Sequence, residues 1–333
     1  MATVSNGSFH GENVDMYGFE RPADFDLATY EEFMSHYLSV LVRRAQRWDN
    51  LVGQKLMIRR SLKVKRFSRK GIPSSLRSVV WLAVSGAQAR LDANPNYFSS
   101  LQAAEKSSAL HDVVSLDLDR TFPENVHFQS GANPHLRTFL YNVLTAYGHH
   151  NPAVGYCQGM NFIAGYLLLV TKNEEQAFWL LDALISHILP DFYTPAMVGL
   201  KTELNVLTEL VKRKLPALVN HMEKHSVAWV LVCSRWFLCL FVDVLPVETV
   251  FRLWDCLFYE GSKVMLRAAL ALMLHFRTAL LESASFSAIV STFRYLPQND
   301  FTLNCHTFMQ AIFKEPGSLP LSTIDHLRQS CRE

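Results

Sequence analysis

Two short polar segments interrupt an otherwise apolar, helix-patterned chain. The first is Val113-Val114-Ser115-Leu116-Asp117-Leu118-Asp119-Arg120-Thr121-Phe122-Pro123, and the second is Gly155-Tyr156-Cys157-Gln158-Gly159-Met160-Asn161. Each sets one long polar side chain, Arg120 or Gln158, beside residues that bend the backbone. No activated nucleophile and no metal-ligand set accompanies them. They read as groups contributed to another molecule's reaction rather than as a self-sufficient active site. Taken singly, Arg120 reads as a structural arginine paired with Asp117 or Asp119, and Gln158 as a helix cap. Their surroundings reverse that reading. Asp117 stands three residues before Arg120 and can hold its guanidinium, and Pro123 terminates the local turn. Gly155 and Gly159 flank Tyr156-x-Gln158 and let the backbone approach a partner closely.

Other chemistries are excluded by what the chain lacks. There is no Gly-Lys dipeptide for a phosphate-binding loop, no G-x-G-x-x-G and no G-x-S-x-G. His221 and His225 stand four apart, but Met222-Glu223-Lys224 between them does not fit the zinc-protease pattern, so they read as surface histidines. No metal or cofactor of the chain's own is expected.

The elements that must position Arg120 and Gln158 read as helices throughout. Tyr30, Phe33, Met34, Tyr37, Leu38, Leu41, Val42, Ala45 and Trp48 follow helical spacing and predict an amphipathic helix over 28–50. Gly53 and the stretch from Lys55 to Lys70, with eight bases and no acid, read as a solvated connector; a nuclear-import or acidic-membrane patch is the lesser reading. Pro73 suits a helix start and Gly86 a stop. Pro134 to Tyr147 reads as a helix ended by Gly148, Asn151-Pro152 starts a loop, and Gly155 precedes a further helix through Val170. Asn173-Glu174-Glu175-Gln176 has the form of a capping box. Helical patterns continue over 200–214, 216–224, 227–242, 247–259 and 263–282, with a final set to 333. The expected fold class is all-α. Residues 1–20, rich in Gly, Asn, Ser and acids, read as a loose tail.

The chain is long enough, at 333 residues, for one large domain or two lobes. Hydrophobic residues make up 49% and charged residues 19%, which is a globular composition. A net charge of +2 points away from nucleic acid as a partner. Six cysteines without a C-x-x-C pair read as reduced thiols. The N-terminal residues lack a signal-peptide pattern, Ala2 does not fit myristoylation, and Cys331 does not fit the prenylation box. Asn6-Gly7-Ser8 is then a sequon that never meets the glycosylation machinery. Arg235 and Asp243 break one apolar stretch, and Arg267, His275 and Arg277 another, so both read as core helices. A soluble, cytoplasmic protein is expected.

Five blocks in order carry a resemblance. They are Gly71-Ile72-Pro73-x-x-Leu76-Arg77-x-x-x-Trp81, Val114-x-x-Asp117-x-x-Arg120 and Tyr156-x-Gln158-Gly159-Met160-Asn161, then Ser234-Arg235-Trp236-Phe237 leading through Phe241-x-Asp243-x-Leu245-Pro246, and Arg252-Leu253-Trp254-Asp255. Together they resemble the Rab GTPase-activating TBC domain, with Val114 where the family usually has isoleucine. The resemblance covers roughly 66–285, after an N-terminal tail, helix and basic linker over 1–65 and before a helical extension over 286–333. It implies an all-α, two-lobed fold that acts on a GTP-bound Rab-family GTPase. It further implies that Arg120 is an arginine finger and Gln158 a glutamine finger, supported by Asp117, Tyr156 and Gly159. GTP and Mg²⁺ would be held by the partner, so the chain would not be an enzyme in its own right. Membrane association would be peripheral at most. Arg77, Trp81, Trp236, Arg252, Trp254 and Asp255 read as scaffold. A non-catalytic helical scaffold that binds a Rab or another partner is the alternative.

Overall fold

A computed structural model describes residues 14–21, 23, 25–53, 58–104, 108–129, 131–132, 135–297 and 299–332. The Asn6 sequon, Lys55 and the expected helix start at Pro134 lie outside them. Among the described residues the chain is helical. No β-strand forms, and two isolated bridges pair Val14 with Glu20 and Phe19 with Asn125.

Helix α1 (Leu27–Val52) starts where Asp26 accepts a hydrogen bond from the Thr29 amide at 3.0 Å. Its buried row is narrower than the apolar spacing suggests. Tyr37, Arg44, Trp48 and Leu51 face inward, while Leu38 and Val42 are exposed. Trp48 Nε1 donates to the Gly71 carbonyl at 3.0 Å, so α1 packs on the start of the following domain. The basic stretch is not a connector over 62–70: it folds as α2 (Leu62–Lys70), capped by Ser61. Buried Glu260 binds Arg69 at 2.5 Å and Lys65 at 3.3 Å, which fixes α2 in place. Burial opposes ionisation of Glu260, but Arg69 and Lys65 override it and hold the carboxyl below its ordinary 4.5.

The next group comprises α3 (Arg77–Ser85), α4 (Ala87–Ala93), α5 (Tyr97–Ala103), α6 (Ser108–Leu118), α7 (Leu136–His150), α8 (Met160–Thr171) and α9 (Glu174–Asp182). Helices α7, α8 and α9 pack mutually, and α6 lies on α7 and α8. Gly148 does not stop α7. It lies inside the helix, because a Cβ there would sit 2.6 Å from Leu110 of α6. The expected capping box is half present. Asn173 accepts from the Gln176 amide at 2.9 Å, but the Gln176 side chain turns to Ser78 at 2.7 Å.

The second group is α10 (Val198–Lys214), α11 (Pro216–Lys224), α12 (Trp229–Leu238), α13 (Val247–Glu260), α14 (Lys263–His275), α15 (Arg277–Glu282), α16 (Phe286–Tyr295), α17 (Asp300–Leu303), α18 (Cys305–Lys314) and α19 (Leu321–Cys331). Helix α13 joins the groups, packing on α2 and α3 as well as α14 and α18. The expected helix over 227–242 ends at Leu238, because Leu240, Phe241 and Asp243 take positive φ. Trp254 Nε1 holds that turn by donating to the Leu240 carbonyl at 3.0 Å. The expected helix over 263–282 breaks at Phe276. No helix of the described residues is long and apolar enough to cross a membrane.

The scaffold residues form a buried polar knot under this joint. Asp255 accepts from the Ile72 amide at 2.9 Å and from Trp81 Nε1 at 3.0 Å, with Arg77 Nε at 3.4 Å and Arg252 Nε at 3.9 Å. Burial pushes Asp255 up, to about 6, against the pull of Arg77, the Ile72 amide and Arg252.

Candidate functional site

Helix α6 delivers Asp117. Val114 is fully buried and seats the helix, which turns Asp117 inward at its last turn. The chain then closes a turn: the Thr121 amide bonds the Leu118 carbonyl at 3.2 Å, and the Thr121 hydroxyl bonds the Asp117 carbonyl at 2.5 Å. That turn carries Arg120 to the surface. Its guanidinium grips Asp117 Oδ1 through Nε at 2.8 Å and Nη2 at 2.6 Å, with 53% of the side chain exposed. Asp119 takes no part; it pairs with Arg137.

Gln158 arrives from the other direction. Asn151 starts the loop by accepting from the Val154 and Gly155 amides at 3.1 and 2.8 Å. Gly155 and Gly159 both take positive φ, +61° and +108°. A Cβ on Gly159 would also press on Cys239 and Leu238 at 3.4 Å, so the loop lies close against the end of α12. Gln158 is exposed and makes no side-chain hydrogen bond to any described residue.

One carboxylate joins the two segments. While Asp117 Oδ1 holds Arg120, its Oδ2 accepts the Tyr156 hydroxyl. Burial, then the Asp117 carboxylate, drives the Tyr156 phenol far above its ordinary range, so it stays a neutral donor. A second link runs underneath. Buried Asn161 donates from Nδ2 to the Thr121 hydroxyl at 2.8 Å and accepts the Gly159 amide on Oδ1 at 3.0 Å. Asp117, Tyr156 and Gly159 are thus brought together with Arg120 and Gln158. Thr121 was not singled out by sequence, and Asn161 entered only as the last residue of a resemblance block, without a role. The available signal was an asparagine in the first turn of an otherwise apolar helix, α8.

The residue after Thr121 is strained. Phe122 takes φ +53°, a conformation that costs a bulky side chain about 1–3 kcal/mol. Its ring offsets this within a cage of Phe19, Phe128, Phe162 and Tyr166, at centroid distances of 5.3, 5.5, 5.6 and 5.3 Å. Gly165 makes room for it, since a Cβ there would lie 2.6 Å from Phe122 Cε2.

The arrangement is open. Clefts of about 350 and 430 Å³ lie beside α19 and between α12 and α16, and neither is lined by Arg120 or Gln158. Among the described residues no three acidic, His or Cys side chains cluster to hold a metal. His221 bonds the Ser283 carbonyl at 2.9 Å, a structural role. On α6, Val113 and Leu116 expose 49% and 76% of their surface one to two turns before Arg120. An exposed cation, an exposed amide and exposed apolar side chains are the residue types found where protein surfaces meet a partner.

Comparison with known proteins gives the class, a helical domain of the GTPase-activating kind. The chain belongs to the Rab-GTPase-TBC domain family, whose model matches residues 74–281. It is 56% identical over 320 residues to Growth hormone-regulated TBC protein 1 of Xenopus laevis, covering 96% of this chain and 94% of that one. The Homo sapiens protein of the same name is 56% identical over 319 residues, covering 96% and 95%. The GTPase-activating protein MSB4 of Saccharomyces cerevisiae is 31% identical over 316 residues, covering 82% and 64%. Among solved structures, the Chlamydomonas flagellar RabGAP TBC domain superposes with a TM-score of 0.79 at 32% identity, covering 90% of this chain and 99% of that one. The Ypt/Rab-GAP domain of Gyp1p shares the fold, with a TM-score of 0.71 at 22% identity over 83% and 98%.

Proposed function

We propose that this chain accelerates GTP hydrolysis by a GTP-bound Rab-family GTPase in the cytoplasm, with Arg120 and Gln158 entering the partner's nucleotide site. The observation that carries the reading is the divided Asp117 carboxylate, which ties the two side chains' segments into one unit while leaving both exposed. Phosphoryl transfer asks for positioning and charge stabilisation more than covalent chemistry. Arg120 neutralises charge building on the transferred phosphoryl group. Its planar fork of donors suits that task better than lysine. An arginine finger contributes ~10³–10⁵ in rate, or about 4–7 kcal/mol of barrier. Gln158 orients the attacking water. Asp117 holds Arg120 extended, Tyr156 fixes Asp117 from the other segment, and Gly159 gives the Gln158 loop its bend. GTP and Mg²⁺ belong to the partner, and this chain completes the partner's active site rather than carrying its own.

The test is phosphate release from a panel of GTP-loaded Rab proteins. The wild-type chain accelerates at least one of them. Arg120→Ala lowers that rate by ~10³ or more, and Gln158→Ala lowers it severely, both with an unchanged thermal melt. A panel in which the protein binds GTP-loaded Rab and leaves every hydrolysis rate at its intrinsic value would refute the reading in favour of a non-catalytic scaffold.

A further inference from the structure

The segment over 14–20 precedes the residues matched by the family model, 74–281, yet it is built into the support of Arg120. It is not a loose tail. Asp15 closes it into a turn, accepting from the Tyr17 and Phe19 amides at 2.8 and 2.9 Å, while its own amide bonds the Phe19 carbonyl at 2.8 Å. One end is fastened to the core. The buried Tyr17 hydroxyl donates to Glu248 of α13 and accepts from Arg77 of α3 at 2.6 Å, and its ring lies 4.7 Å from Phe251. The other end is stitched to the loop that follows Arg120. The Glu20 amide bonds the Glu124 carbonyl at 3.1 Å, the Val126 amide bonds the Gly18 carbonyl at 2.9 Å, and Asn125 Nδ2 bonds the Tyr17 carbonyl at 3.1 Å. Gly18 permits this close approach: at φ +91°, a Cβ there would strike His127 at 2.6 Å.

Phe19 is the point of contact. Its ring meets Phe122 edge-on at 5.3 Å and Tyr166 at 6.0 Å. Phe122 is the strained residue two places after Arg120, and a left-handed phenylalanine persists only where its surroundings hold it. Without Phe19 the cage loses one wall, and the relaxed conformation carries Thr121 and the guanidinium away from Asp117. We infer that the 14–20 segment is a strap that sets the position of Arg120, with Phe19 as its positioning residue. The inference rests on the reading of Arg120 as the group inserted into a GTPase.

The test uses the full chain, a responsive GTP-loaded Rab and single-turnover phosphate release at increasing activator concentration. Phe19→Ala lowers the saturating rate roughly 10-fold or more, since a displacement of about 1 Å can cost ~10², with the half-saturating concentration unchanged. Phe19→Tyr, which keeps the ring, restores the rate. In an Arg120→Ala background Phe19→Ala has no further effect, whereas in a Gln158→Ala background it retains its full effect. Tyr17→Phe, which loosens the far end, produces the same pattern more weakly. A saturating rate unchanged by Phe19→Ala overturns the inference. So does an equal loss in the Arg120→Ala background, which would mark a general structural defect, and so does a change confined to half-saturation, which would make the strap a partner contact. If Arg120→Ala itself leaves the rate intact, the functional reading fails first, and the two failures are told apart.

Discussion

Replacing Asp117 with asparagine keeps the side chain's shape and removes the charge that Arg120 and Tyr156 share. On Oδ1 the carboxylate takes a hydrogen bond from Arg120 Nε and an ion-pair contact from its Nη2, and on Oδ2 it takes the Tyr156 hydroxyl. An amide offers one accepting oxygen and a donating nitrogen, so Arg120 is left with a neutral acceptor in place of a carboxylate, and Tyr156 must turn from donating to accepting or lose its partner. A hydrogen bond to a charged group contributes about 1.5–3 kcal/mol. With 53% of the Arg120 side chain exposed, solvent screening puts its share at the low end. At 1.36 kcal/mol per decade, Asp117→Asn therefore lowers the saturating rate by about 10-fold, and by ~10² at most. That is well short of the ~10³–10⁵ expected for Arg120→Ala, because the guanidinium remains present and is only less well held. The assay is single-turnover phosphate release from a GTP-loaded Rab, with binding measured separately. A variant that keeps the wild-type rate at saturation would refute the reasoning. So would a loss that lies wholly in binding, since the carboxylate would then be a docking group rather than a support.

Two further outcomes are expected. Leu116→Lys should raise the half-saturating concentration about 10-fold with the saturating rate kept: burying a leucine contributes about 1.5–3 kcal/mol, and ~800 Å² of interface per partner spans a disc of about 16 Å radius, which covers a residue one turn from Arg120. Titration against a Rab locked in the GTP state checks this, and an unchanged affinity would remove Leu116 from the interface. Stability should depend on Glu260 in acid. Its folded-state carboxyl lies below the ordinary 4.5, so its contribution is present above 4.5 and is lost as pH falls through the depressed value. Thermal melts from pH 6 downward should show that loss in the wild type and a flatter profile in Glu260→Gln; parallel profiles would contradict it.

The helices over 198–214, 216–224 and 247–260 were legible because apolar spacing, a leading proline and clear stops agree there. The break after Leu238 was not. Leu240 and Phe241 carry no turn chemistry, Asp243 alone is a weak signal, and the bend is imposed by packing and by Trp254 reaching the Leu240 carbonyl. Gly148 misled for a related reason: it is there for the approach of Leu110, which only the assembled fold reveals. At the site, Arg120 and Gln158 could be picked out from residue type and context. The division of Asp117 between two segments, the Thr121–Asn161 link and the 14–20 strap join residues distant in the chain, and no local pattern encodes such a join. The strap did leave a trace in Asp15 and Gly18, an acid and a glycine spaced for a tight turn.

The crossing at Gly148 has a mechanical consequence. Helix α6 rests on α7 at Leu110, is seated by Val114, and ends by presenting Arg120. At 1.5 Å per residue the arm from Leu110 to Val114 is about 6 Å, and the arm from Val114 to the last helical residue, Leu118, is also about 6 Å. The helix is a short lever with its bearing on a missing methyl group. A shift where the two helices cross reaches the end of α6, where the Arg120 turn begins, at about its own size. The turn that carries Arg120 is therefore coupled mechanically to the packing of α6 on α7.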